Sequence, residues 1–100
     1  MREDRQRLDK WLWFARFAKS RTLAAKLVTS GLVRVNGQRA DSAAKAVAVG
    51  DVVTLALSRT TAVVRIESLG ARRGPAPEAR ALYTDLSAGN GALVSGGGTG

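Results

Sequence analysis

Residues 7–37 read RLDKWLWFARFAKSRTLAAKLVTSGLVRVNG, and the punctuation of this stretch decides the fold. It predicts two short helices joined by a basic turn, then a strand that ends in a tight hairpin. Lys19-Ser20-Arg21 is the joint. Ser20 is suited to cap the second helix, its hydroxyl on a backbone N–H, while Lys19 and Arg21 set two cations beside the positive end of that helix's dipole. Cations are repelled there by roughly a few tenths of a kcal/mol. A bound anion, such as a nucleic-acid phosphate, would offset that repulsion.

Before the joint, Asp9 is expected to be the N-cap of the first helix, with Leu8 and Trp13 closing a hydrophobic staple. That helix is expected to run to about Ala18, with Trp11, Leu12, Phe14, Ala15 and Ala18 as its apolar face. Trp13 and Phe17 fall toward the other side. They could stack on unpaired bases, but the reading preferred is that Trp13 staples the helix start and Phe17 packs against the C-terminal segment.

After the joint, the second helix covers residues 21–30, with Leu23, Leu27 and Val28 facing the core and Lys26 facing solvent. Gly31 stands where a left-handed terminal residue is wanted, and Leu32 beyond it can touch Leu27. Val33 and Val35 alternate with Arg34, the pattern of a half-buried strand. Asn36-Gly37 is a strong hairpin signal, because both turn positions need positive φ, so Asn36 is needed first for its conformation. Gln38-Arg39-Ala40 begins the return strand, which brings Arg34 and Arg39 close together.

Further along, Lys45 lies in an Ala-rich loop, residues 46–49 form a short strand, and Gly50-Asp51 turns the chain. Residues 52–58 form a strand with Val53, Leu55 and Leu57 on one face, and residues 62–69 form the last strand. The expected fold class is therefore α+β, a small, mostly antiparallel sheet with the helix pair packed on it. Residues 70–77 read as a linker carrying Arg72-Arg73. Pro77 suits the start of a short helix reaching about Leu86, with Ala79, Leu82, Tyr83 and Leu86 on the side that docks. Residues 1–6 look frayed. From Gly89 half of the residues are Gly, which reads as a disordered tail. The expected division is residues 7–69 as the domain, 70–86 as linker and docking helix, and 87–100 as the tail.

One hundred residues suffice for one domain with one small core. The net charge is +8, which points to polyanionic partners, and eleven of the sixteen Lys and Arg residues fall within residues 1–50. The anion-binding surface should therefore lie on the helix pair and first hairpin. Cys and His are both absent, so there is no thiolate, no disulfide, and no residue of the type that most often serves as general base. Asp9 suits capping better than acid/base work, and there is no paired carboxylate, P-loop or metal-ligand cluster. No enzyme activity, metal or cofactor is expected. No apolar run approaches the roughly eighteen residues of a membrane span, and MREDRQR lacks a signal-peptide core. A cytoplasmic monomer that does not engage membranes is the expectation.

Arg7-Leu8-Asp9, Ser20-Arg21, Ala25, Leu27, Gly31, Val33, Val35-Asn36-Gly37 and Gly50-Asp51 together resemble the RNA-binding domain first described in ribosomal protein S-four, the alpha-L fold. The resemblance covers about residues 7–57. Within that superfamily, residues 7–13 with Ala15-Arg16-Phe17, and residues 72–79 followed by Leu82-Tyr83, are similar to the bacterial ribosome-associated heat-shock proteins of fifteen kilodaltons. That family continues into a long basic C-terminal helix where this sequence becomes Gly-rich.

The resemblance implies a non-enzymatic protein that binds ribosomal RNA on the free large subunit that still carries a nascent chain on tRNA, in the recycling of stalled subunits under heat stress. It implies one RNA-contact surface made of Arg7, Lys10, Arg16, Lys19, Ser20, Arg21, Lys26, Arg34, Asn36, Gln38, Arg39 and Lys45. Arg would grip phosphate oxygens in a planar fork, and Lys would act as a mobile point charge. Because A-form RNA hides its major groove, recognition should rest on phosphates, 2′-hydroxyls and loop shape. Two other readings stay open: an RNA-binding accessory to a separate RNA-modifying enzyme, and a general polyanion adaptor.

Overall fold

In the computed structural model, which describes residues 5–57 and 60–87, the two helices of the amino-terminal half end in the same way. Helix α2 (Arg21–Thr29) is followed by Ser30 and then Gly31 at φ +81°. Gly31 N–H donates to Val28 O at 3.0 Å and Leu32 N–H to Leu27 O at 3.1 Å, the paired reverse bonds of a left-handed stop. Helix α1 (Leu8–Phe14) closes identically through Arg16, at φ +66°. Arg16 N–H donates to Trp13 O at 3.1 Å and Phe17 N–H to Leu12 O at 3.0 Å.

The first helix therefore stops four residues short of the expected Ala18. An Arg in the left-handed region costs roughly 1 kcal/mol, and tertiary bonds offset it. The Arg16 Nε donates to Gly74 O at 2.8 Å, and the Arg73 Nε donates to Trp13 O at 3.2 Å.

The start of α1 also differs from expectation. Arg7 is the N-cap and makes no side-chain cap bond, while Asp9 lies inside the first turn. The open N–H groups are instead matched by the loop ahead of the fourth strand, Leu8 N–H on Lys45 O at 2.8 Å and Asp9 N–H on Ala43 O at 3.1 Å. Helix α2 starts as expected, with Leu23 N–H donating to Ser20 Oγ at 3.1 Å.

Residues 1–6 were expected to be frayed, yet Arg5 and Gln6 belong to strand β1 (Arg5–Arg7), which pairs antiparallel with β4 (Ala46–Ala48). The main sheet is antiparallel and runs β3-β2-β5-β6-β7, from β2 (Val33–Val35), β3 (Gln38–Arg39), β5 (Val52–Ala56), β6 (Thr61–Ile66) and β7 (Tyr83–Asp85). Its register stacks inward residues on inward residues: Val33 faces Leu55, Val35 faces Val53, and Val53 faces Val64. Asn36 at φ +53° and Gly37 at φ +84° make the expected hairpin turn between β2 and β3. This is the α+β, alpha-L arrangement.

The C-terminal helix is shorter than expected. Helix α3 covers only Ala76–Arg80, with Pro in its first turn, and Tyr83 enters β7 opposite Ile66. Pairing an otherwise open edge of β6 gives residues 83–85 more backbone hydrogen bonds than an isolated helix end could keep.

The core lies between the inward sheet face and the helix pair. Leu8, Trp11, Leu12, Ala24 and Val28 from the helices meet Val33, Val53, Leu55, Val64 and Ile66 from the strands, all at most 1% exposed. Each large apolar side chain so enclosed stabilises the fold by roughly 1.5–3 kcal/mol. Trp11 also donates its indole N–H to Ser68 O at 3.0 Å. Phe17 packs on Tyr83 at 4.9 Å between ring centroids, and Trp13 stacks on Phe14 at 5.4 Å. Leu23, expected in the core, is instead 45% exposed.

Candidate nucleic-acid interface

Asp9 organises the cations of the helix pair. It is 4% exposed, and the Arg7 guanidinium grips it with two parallel bonds, Nε to Oδ1 and Nη2 to Oδ2, both 3.1 Å. Arg21, at the first position of α2, brings Nη2 to 3.6 Å from Oδ1. Burial pushes the Asp9 carboxyl up, but the Arg7 hydrogen bonds, the charges of Arg7 and Arg21 and the Lys10 backbone N–H outweigh it and hold it below the usual aspartate range. The hydrogen bonds and charge of Asp9 in turn hold Arg7 more firmly protonated.

Arg21 does stand at the wrong end of a dipole, but Asp9 supplies the compensating anion from within the chain. Lys19 is exposed and has no ion pair among the described residues. Arg7 and Arg21 remain half exposed, so the carboxylate aims two guanidinium groups at solvent with their orientation fixed. Next to them, Ser20 occupies only the Leu23 N–H, and Ala24 N–H donates to Ser20 O. The N–H groups of Arg21 and Thr22 have no partner among the described residues, which leaves a donor pair open for an oxyanion.

The hairpin holds a second group. Arg34 and Arg39 sit directly opposite each other across β2–β3, and their like charges are kept apart by turning in different directions. The Arg39 guanidinium lies over Gly31, where a Cβ would stand 2.8 Å from Nη2, at the negative end of the α2 dipole. Arg34 Nη1 donates to Gly37 O at 3.4 Å. Alternation along β2 puts Arg34 on the sheet face away from the helix pair, beside Thr54.

Asn36 is occupied by the fold: its Oδ1 accepts from Val52 N–H at 2.9 Å and its Nδ2 donates to Asp51 Oδ1 at 3.2 Å. With Gln38 and Lys45 it lines a polar pocket of about 250 Å³.

The remaining candidates lie elsewhere. Lys10 sits 5.8 Å from the Phe14 ring centroid. Lys19 and Lys26 rim an apolar groove of about 510 Å³ floored by Phe17, Leu23, Leu27 and Leu32. Arg16 is committed to Gly74 O and serves the helix stop. The twelve candidates thus form a helix-start group, a hairpin group and a groove rim, with Lys10 and Arg16 apart. Arg5, which the sequence marks only as part of a frayed end, lines the hairpin pocket. Its two-residue spacing from Arg7 was the available signal, since it puts both on one face of a strand.

An S4 domain is recognised over residues 6–53. The chain is 42% identical over 85 residues to the heat shock protein 15 homolog of Haemophilus influenzae, covering 85% of this chain and 64% of that one. It is 40% identical over 81 residues to heat shock protein 15 of Escherichia coli, covering 81% and 60%. The chain thus spans somewhat under two thirds of the curated relatives it matches. A solved structure of heat shock protein 15 from Vibrio cholerae, described as trimeric, superposes with a TM-score of 0.78 at 43% identity and covers 84% of each chain. This chain belongs to the S4-domain family and, within it, groups with heat shock protein 15.

Proposed function

We propose that this protein binds structured RNA of the large ribosomal subunit without transforming it, and helps to recycle subunits stalled with nascent-chain tRNA during heat stress. The observation that carries the reading is the Arg7–Asp9–Arg21 cluster beside the Ser20-capped start of α2. A buried carboxylate that orients two half-exposed guanidinium groups next to open backbone donors suits phosphate oxygens, which accept bidentate bonds. Both the helix-start group and the hairpin group come from one chain, so a single copy carries the interface. The heat-stress role is supported by the names of its relatives.

Sedimentation of cell lysate through a sucrose gradient tests the partner: the protein should travel with free large subunits. Binding to ribosomal RNA should weaken steeply with salt, at a log–log slope of about −0.7 to −0.9 for each phosphate neutralised. The double variant Lys19→Ala, Arg21→Ala should bind more weakly with a shallower slope. Parent-like binding by that variant would remove the helix start from the interface, and equal binding to any polyanion would replace the RNA reading with a general adaptor.

A further inference from the structure

The pocket between the hairpin and the β1–β4 ribbon has a chemistry of its own. Six of its lining residues carry the argument: Arg5, Asn36, Gln38, Lys45, Ala48 and Asp51. Asp51 and Asn36 are spent on the wall. Asp51 Oδ1 accepts from Asn36 Nδ2 at 3.2 Å, its Oδ2 accepts from Ala48 N–H at 3.0 Å, and Asn36 Oδ1 accepts from Val52 N–H at 2.9 Å. The side chains of Arg5, Gln38 and Lys45 make no hydrogen bond or ion pair among the described residues. What remains available is two cations and one amide around about 250 Å³ of space. That combination suits a ligand with an anionic end and a planar edge bearing both donors and acceptors.

The ribbon supplies the room and the direction. Ala48 pairs directly with Arg5 in the β1–β4 register, and its methyl group leaves the cavity open. Arg5 and Arg7 share one face of β1, about 6.8 Å apart at the rise of an antiparallel strand, while Gln6 between them turns away to Gly70. Arg7 belongs to the cluster with Asp9 and Arg21. A polymer whose phosphate sits at that cluster therefore has its neighbouring unit within reach of the pocket.

We propose that the pocket takes one unpaired nucleotide of the bound RNA, its base edge on the Gln38 amide and its phosphate between Arg5 and Lys45. The inference rests on the RNA-binding reading and adds a base-level feature to recognition by shape. An unpaired base enters without the unstacking cost that a paired base would incur, and a Gln amide can offer donor and acceptor together to adenine.

The test is fluorescence anisotropy of the full chain with two RNA hairpins identical except for a single-adenosine bulge. The parent should bind the bulged hairpin about tenfold more tightly. Ala48→Leu, which fills the pocket without changing charge, and Gln38→Ala, which removes the amide, should each bring that ratio close to one. Circular dichroism checks that Ala48→Leu folds, and Gln38→Ala carries the test if it does not. A parent that binds both hairpins equally, or variants that keep the ratio, overturn the pocket and leave the RNA reading standing. A parent that binds neither hairpin overturns both. Millimolar adenosine 5′-monophosphate, but not inorganic phosphate, should bring that ratio toward one, and a ratio that adenosine 5′-monophosphate leaves unmoved overturns a nucleotide in the pocket.

Discussion

Gln6 and Gly70 are joined by two hydrogen bonds, Gln6 Nε2 donating to the Gly70 carbonyl oxygen at 2.8 Å and Gly70 N–H donating to Gln6 Oε1 at 3.1 Å. The pair ties strand β1 to the segment that follows β6. Gln6→Ala leaves both backbone groups unmatched in a partly buried place and should lower stability by about 1–3 kcal/mol in urea unfolding. Gly70→Ala should cost a similar amount, about 1–3 kcal/mol, because its Cβ would stand 2.7 Å from the Phe14 Cβ. Parent-like midpoints for both would show that the stitch contributes nothing.

Asp9 makes stability depend on acidity. Its carboxyl is held below the ordinary range in the folded chain, so around pH ~4 the unfolded chain binds more protons than the folded one. Its contribution is complete above the unfolded pKa and disappears as pH falls through the lower folded one. Asp9→Asn should lose about 1–2 kcal/mol at pH ~7, and the gap to the parent should close below pH ~4. A gap constant across that window would mean that the charge of Asp9 is not what stabilises.

Arg16 separates backbone strain from side-chain bonding. Arg16→Ala keeps the positive φ and loses the bond to Gly74 O, whereas Arg16→Gly loses the bond but relieves the strain. The glycine variant should therefore be more stable than the alanine variant by about 1 kcal/mol. The reverse order in thermal melts would place the stop of α1 elsewhere.

Ser20 allows capping and anion binding to be told apart. Ser20→Ala should cost about 1 kcal/mol of stability. Ser20→Asp keeps a cap and favours the dipole, so stability should hold. The same variant sets a negative charge between Lys19 and Arg21 and should weaken RNA binding about tenfold at low salt. Undiminished RNA binding by Ser20→Asp would argue that no phosphate comes near this helix start.

Features written in neighbouring residues were readable in advance. Ser20, Gly31 and Asn36-Gly37 each specify a backbone shape within a few positions, and the structure has the cap, the stop and the hairpin there. Features set by distant residues were not. The run Phe14-Ala15-Arg16-Phe17 reads as continuing helix, and what ends it is Gly74 and Arg73, close to sixty positions away. Strands of three residues, Arg5–Arg7 and Tyr83–Asp85, are too short to show alternation and exist because an edge elsewhere was open to pair them. The site followed the same rule. That cations gather near the helix start was legible from composition, but that a buried Asp9 aims two of them was not, because an aspartate ahead of an apolar run looks like a cap.

The stitch between Gln6 and Gly70 also bears on how the chain matures on the ribosome that makes it. Translation proceeds from the amino end, so the helix pair and the hairpin emerge while the acceptors for Gln6 and for the Trp11 indole, Gly70 and Ser68, are still unmade. A growing chain halted before those residues lacks the tie that fastens the strand carrying Arg7 to the segment after β6. The last strand to be synthesised among the described residues completes the sheet edge, and only then does the cationic surface rest on a finished scaffold.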